Sequence, residues 1–240
     1  MALLARNLRT AVEHSTPEHH MNSLHTIAAA LLVSAAAAPA SAAPVTWTDW
    51  TSTLATTSGV AGALDVNGTT VDVTFLGAYG FAQTNGGTNY WAPASPYISA
   101  AVDNAPPTSD IIALNSGGTA TIRFSQAVVD PLIALVSWNG NVVDFGVRIE
   151  VLSFGGGYWG NGTPVVNGSG TGFSGSGEVH GVIRLPGTYD SISFTHTSEN
   201  WHGLTVGVTA LAGTPVPEPD ALALVGLALG ALALTRRRRG

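Results

Sequence analysis

Between residues 43 and 213 no window of twelve or more residues places its apolar side chains at the helical period. That absence limits the fold more than any other feature of the chain. The apolar residues alternate instead, in the runs 70–76 (TVDVTFL), 119–124 (TATIRF), 132–138 (LIALVSW) and 144–154 (DFGVRIEVLSF). Further runs are 178–185 (EVHGVIRL), 191–195 (SISFT) and 204–210 (LTVGVTA). Period-two alternation of β-branched and aromatic residues predicts strands. The separators carry turn chemistry: Asn67-Gly68, Gly86-Gly87, Ser116-Gly117-Gly118, Asn139-Gly140 and Asn161-Gly162. Richness in Gly, Ser and Thr would alone point towards disorder. All six Trp, five Tyr and seven Phe of the chain lie in this segment, however, and they supply a core. These features predict an all-β fold: one β-sandwich, jelly-roll-like, over 43–213. Within 144–154, Arg148 and Glu150 are expected on the solvated face of one strand, with Val147, Ile149 and Val151 on its core face.

Charge and missing residue types exclude several classes. The segment 43–213 holds three basic residues, Arg123, Arg148 and Arg184, against eleven acids. It lacks the basic stripe that neutralises phosphates, so no nucleic-acid partner is expected. The chain has no Cys, which removes thiol nucleophiles, disulfides and Cys-type zinc sites. It has no Lys, which removes the Walker A loop and Schiff-base chemistry.

Both ends read as targeting segments. Residues 27–38 (IAAALLVSAAAA) precede Pro39 and the A-x-A pattern of Ala40-Ser41-Ala42. This predicts a signal helix, a signal peptide over 1–42 and cleavage after Ala42. No Arg or Lys lies between Met21 and Ile27, and Arg6 and Arg9 are far upstream. Either the basic region is long, or Met21 is the true start and residues 1–20 are a mis-called extension. At the other end, Pro217-Glu218-Pro219-Asp220 is followed by the charge-free apolar run 221–234. Thr235 and four arginines, Arg236, Arg237, Arg238 and Arg239, come next. This order predicts a sorting tail over 214–240 with a short transmembrane helix at 221–235 and a cytoplasmic basic stop. The apolar run spans about 21 Å at 1.5 Å per residue, so flanking residues must snorkel or the bilayer must thin.

The tail, with Pro217, Glu218 and Pro219, a glycine-containing apolar helix and an arginine cluster, resembles the PEP-CTERM sorting signal of Gram-negative bacteria. Asp220-Ala221 stands where that family usually has Ser-Thr. The resemblance implies export through the Sec translocon, removal of the leader by signal peptidase and transient anchoring in the inner membrane. It further implies processing by an exosortase, a membrane cysteine protease, at or near Pro217-Glu218-Pro219. The implied destination is the cell surface or extracellular matrix. Residues 118–208 are also loosely similar to bodies carried by other PEP-CTERM proteins, through TATIRF at 119–124, Tyr158-Trp159-Gly160 and Glu199-Asn200-Trp201-His202-Gly203.

The chemistry-bearing residues of the body also have plainer roles open to them. Gly170-Thr171-Gly172-Phe173-Ser174-Gly175 fits G-x-G-x-x-G but lacks the βαβ frame of a dinucleotide site, so a loop is expected. Leu185-Pro186-Gly187-Thr188-Tyr189 approximates a sortase site without its final glycine and predicts a turn. Asp65-Val66-Asn67-Gly68 lacks the remaining ligands of a calcium loop and fits a hairpin turn. His180, His196 and His202, with Glu178 and Glu199, have no metal-ligand spacing. Glu178 and Glu199 would serve a glycosidase if a cleft held them about 5–9.5 Å apart. Trp91, Tyr97, Tyr158, Trp159 and Trp201 lie in or beside loops and either plug the core or offer stacking faces to sugars. The expected role of the body is structural or adhesive, with no catalytic residue, cofactor or metal. The alternative is an exopolysaccharide-binding module using Trp159 and Trp201, and less so a glycoside hydrolase.

Overall fold

The computed structural model describes residues 44–56 and 58–213. The signal segment with Ala40 and Ala42, and the tail with Pro217, Glu218, Pro219 and its four arginines, lie outside the described residues. Both expected helices lie there too. Sixteen strands and one 3₁₀ turn make up the described part. In chain order the first are β1 (Thr46–Trp47), β2 (Asp49–Leu54), β3 (Gly59–Val66), β4 (Thr69–Leu76) and β5 (Phe81–Gln83). Next come β6 (Ile111–Leu114), β7 (Gly118–Val129), β8 (Leu132–Trp138), β9 (Val142–Asp144) and β10 (Glu150–Gly155). The last are β11 (Gly162–Val166), β12 (Gly172–Gly177), β13 (Val179–Arg184), β14 (Thr188–His196), β15 (His202–Val208) and β16 (Ala210–Leu211).

They form two antiparallel sheets. The seven-stranded sheet runs β10-β13-β8-β15-β6-β5, with β1 on β15. The nine-stranded sheet runs β11-β12-β9-β14-β7-β4-β3-β2, with β16 on β7. From β6 to β10 the chain changes sheet at every step. Alternation decides which face is buried. Val71, Val73 and Phe75 of β4 point inward while Asp72 is exposed, and Ala120, Ile122 and Phe124 of β7 do the same beside Arg123. Ile133 and Leu135 of β8 and Leu204 and Val206 of β15 meet them from the opposite sheet. Each such burial stabilises the fold by about 1.5–3 kcal/mol.

The hairpin between β3 and β4 turns on Asn67 (φ 54°) and Gly68 (φ 81°), and the Gly68 N–H donates to Asp65 Oδ1 at 2.8 Å. Both central residues take positive φ, the turn that matches strand twist. Leu185-Pro186-Gly187 links β13 to β14, and Asp130 Oδ1 accepts the Gly187 N–H at 2.7 Å.

Two expectations need correction. The run 144–154 is not one strand: β9 ends at Asp144, and β10 starts at Glu150 in the other sheet. Gly146 (φ 65°) turns the chain between them, so Arg148 and Glu150 do not share a continuous strand face. Arg148 nevertheless reaches Glu150 at 3.6 Å. The loop expected at 170–175 is largely strand β12. Every residue of β8 is buried, so the seven-stranded sheet is covered on both faces there. The segment 84–110 folds back over the sheet, and its Trp91, Tyr97 and Val102 pack on Ile111, Leu132, Ala134, Val136 and Val182. Trp91 and Tyr97 are therefore core residues, 2% and 0% exposed.

Candidate functional site

The covering segment also places Tyr90 among aromatics that other elements bring to the surface. Phe81 ends up on β5, Tyr90 in the covering segment, Tyr158 and Trp159 in the β10–β11 loop, and Trp201 just before β15. Tyr90 lies between Tyr158 and Trp201, with ring centroids at 5.1 and 5.0 Å. Trp159 meets Tyr158 at 4.9 Å and Trp201 at 6.2 Å. Phe81 meets Trp201 at 5.9 Å. Edge-to-face contacts at these separations brace the rings against one another. Phe81, Tyr90 and Trp201 rest on the second core, whereas Tyr158 and Trp159 are 41% and 51% exposed. The result is a rigid aromatic ledge, wet on its outer side.

A carboxylate pair adjoins it. Glu178 precedes β13, and Glu199 lies in the turn between β14 and β15. Asn139, just after β8, holds both: its Nδ2 donates to Glu178 Oε1 at 2.8 Å and its backbone N–H to Glu199 Oε2 at 3.2 Å. Ser137 donates its hydroxyl to Glu178 Oε2. Ser137 sits at φ 57°, which costs a non-glycine residue about 1–3 kcal/mol. That turn of the backbone re-aims the end of β8 towards Glu178. The ledge and the pair approach each other at Gly160, next to Trp159. A β-carbon there would meet the Glu178 side chain at 3.5 Å. Burial, opposed by the Asn139 N–H and reinforced by the Glu178 charge, pushes the Glu199 carboxyl up to about 7.

Behind the pair lie the histidines. His202 Nδ1 is 3.7 Å from Glu199 Oε2 and 3.2 Å from Asn141 Nδ2. An amide N–H only donates, so Nδ1 accepts and the His202 proton sits on Nε2. That Nε2 donates to His196 Nδ1 at 3.2 Å. Burial, then the neighbouring His196, pulls His202 down to about 3, and burial lowers His196 as well. His180 stands apart, bonded through Nδ1 to the Tyr97 hydroxyl at 3.1 Å. Burial pulls it down to about 4 against the opposing pull of Glu178. All three rings are thus neutral core groups at pH 7. Among the described residues no three His, Asp or Glu side chains come together so as to hold a metal ion.

The site therefore joins Trp159 and Trp201 in one ledge and Glu178 and Glu199 around one asparagine. Sequence reasoning missed Asn139, Ser137, Tyr90 and Phe81. Asn139-Gly140 reads locally as a turn, and nothing local marks Ser137 or Tyr90. Two depressions in the surface lie elsewhere, one against Asp144, Phe145 and Ser193, the other against Leu54 and Tyr79.

The described body is an all-β domain of two antiparallel sheets with an aromatic ledge, and its address is written in the tail. The family model of the PEP-CTERM protein-sorting motif matches residues 215–239. The chain therefore carries a PEP-CTERM sorting motif at its C-terminal end. The motif implies exosortase-dependent sorting of an exported protein whose precursor is membrane-anchored, with exosortase as its processing partner. No curated protein and no solved structure matches the chain.

Proposed function

We propose that the mature protein is a surface or matrix adhesin without catalytic activity, which holds exopolysaccharide on the Phe81–Tyr90–Tyr158–Trp159–Trp201 ledge. The observation that carries this reading is the ledge itself: two half-exposed rings fixed by three more beneath them. The apolar C–H faces of pyranose rings stack on such surfaces, and an open ledge suits a chain passing across it. A jelly-roll-like reading of the body is supported by the orders β7-β14-β9-β12 and β8-β13-β10 in facing sheets, with the chain alternating between them. Export, signal cleavage after Ala42 and anchoring through 221–235 complete the proposed route.

Two outcomes are expected. In the native host, intact mass and cell fractionation should find a species starting at Ala43, ending between Pro217 and Pro219, and lying outside the cell. A species that keeps Arg236, Arg237, Arg238 and Arg239 in the inner membrane would show a plain anchor and end the processing proposal. In affinity electrophoresis through the host's own polysaccharide, Trp159→Ala should weaken retardation about ten-fold, the loss of roughly 1.4 kcal/mol of stacking. Trp201→Ala should do at least as much, since Trp201 also supports Trp159. Retardation untouched by both substitutions would mean that the ledge is not the surface that holds the polysaccharide.

A further inference from the structure

Among the described residues, the carboxylate pair beside the ledge has no cationic partner. Among the described residues Arg148 and Arg184 are both engaged by Glu150. Arg123 projects from β7, in the other sheet. The imidazole at 3.7 Å from Glu199 is that of neutral His202, and the one facing Glu178 is that of neutral His180. Every polar contact that Glu178 and Glu199 make is with a neutral donor: Ser137, the Asn139 side chain or the Asn139 N–H. The fold thus gathers two carboxyl groups around a single residue, at a cost that for Glu199 comes first from its burial, with the charge of Glu178 adding to it.

A ligand on the ledge that carries positive charge would relieve that cost. The ledge calls for sugar rings, and the pair calls for ammonium groups attached to them. We propose that the ligand class of this site is a polysaccharide of hexosamine units with free amino groups, its rings stacked on Trp159 and Tyr158 and an ammonium set against Glu178 and Glu199. An N-acetylated unit has no charge there and brings a methyl group towards two carboxylates. A uronic-acid polymer would bring like charge to a body that already carries three arginines against eleven acids. A second copy of this chain has the same acidic surroundings and is disfavoured on the same ground. The inference rests on the ledge reading above and adds the charge of the ligand to it.

The test uses the full-length chain purified in detergent and follows tryptophan fluorescence. The probes are a glucosamine hexamer, the matching N-acetylglucosamine hexamer, an oligogalacturonate and, as a cation without rings, spermine. The glucosamine hexamer should bind at least ten-fold more tightly than the acetylated hexamer, with no binding of oligogalacturonate or spermine. The isosteric pair Glu178→Gln and Glu199→Gln should erase that ten-fold preference, so that the two hexamers bind each variant equally. Trp159→Ala should weaken both hexamers. Equal affinity for the two hexamers, or a preference that survives both Gln substitutions, would overturn the charge inference and leave the ledge standing. Spermine binding as tightly as the glucosamine hexamer would overturn it too, since charge alone would then suffice. Binding of no hexamer would take the ledge reading with it.

Discussion

Acidifying the folded protein from pH 7 to pH 3 is expected to destabilise it by several kcal/mol, with most of the loss below pH 6.5. His202 and His180 are fully buried and are held at about 3 and about 4, against 6.5 in an exposed histidine. Between those values the unfolded chain binds protons that the folded chain refuses, so stability falls as pH falls. His202 faces His196, Asn141 and Glu199, and His180 faces Tyr97 and Glu178. His196, also lowered by burial, adds to the effect in the same direction. Glu199 acts oppositely. Its carboxyl is pushed up from 4.5 to about 7, so the folded chain holds a proton there that the unfolded chain has lost. That contribution is complete below about pH 4.5 and disappears as pH rises through 7. One raised carboxyl offsets part of the loss from the histidines, leaving a net effect on the order of 5 kcal/mol. Melting temperature against pH is the measurement. A maximum near neutrality with a steep acid limb is expected. His180→Gln should make that limb shallower, and Glu199→Gln should raise stability above pH 7. A flat profile between pH 7 and 4 would mean that the histidines are not held neutral by the fold.

Replacing Trp138 by alanine should cost about 3–5 kcal/mol, the range for deleting a large buried aromatic. Trp138 is 0% exposed and ends β8 where three layers of contact meet. Its Nε1 donates to the Gly203 carbonyl at 2.8 Å, which ties β8 to β15. Its ring packs on Phe173 at 5.8 Å and on His202 at 4.3 Å. The alanine variant leaves a cavity between the sheets and removes the Nε1 bond to Gly203. It also loosens the strand end that carries Ser137 and Asn139, the residues that hold the carboxylates. Urea unfolding at pH 7 should therefore show a lower midpoint with an unchanged slope. Trp138→Phe should recover part of the loss, since the ring returns without its N–H. A cost under 1 kcal/mol for the alanine variant would mean that Trp138 is peripheral to the packing.

Several elements were legible because their signals are local. Asn67-Gly68 specifies a tight hairpin through its own positive φ values, and the flanking alternation tells which side of β4 is buried. The tail motif is readable for a similar reason: its meaning lies in an order of adjacent residues. Other elements gave no such signal. β12 reads as a loop because Gly172, Gly175 and Gly177 look like turn formers. The glycines are there for closeness: a β-carbon at Gly175 would lie 2.0 Å from the Trp138 carbonyl oxygen. Unbroken hydrophobicity in β8 says that both faces are covered, but not that the segment 84–110 covers one of them.

What the chain determined alone, then, is its all-β class, its acidic charge, its hairpin turns and its sorting address. Each depends on neighbours in sequence, through backbone preference, alternation or motif order. Only the tertiary structure decided that Tyr90 braces Tyr158 and Trp201, that Trp91 and Tyr97 are interior, and that Asn139 joins Glu178 to Glu199. Those partners are far apart along the chain and meet because strands cross from one sheet to the other. Alternation tells a strand which side to bury, and it carries no information about which distant strand will lie beside it.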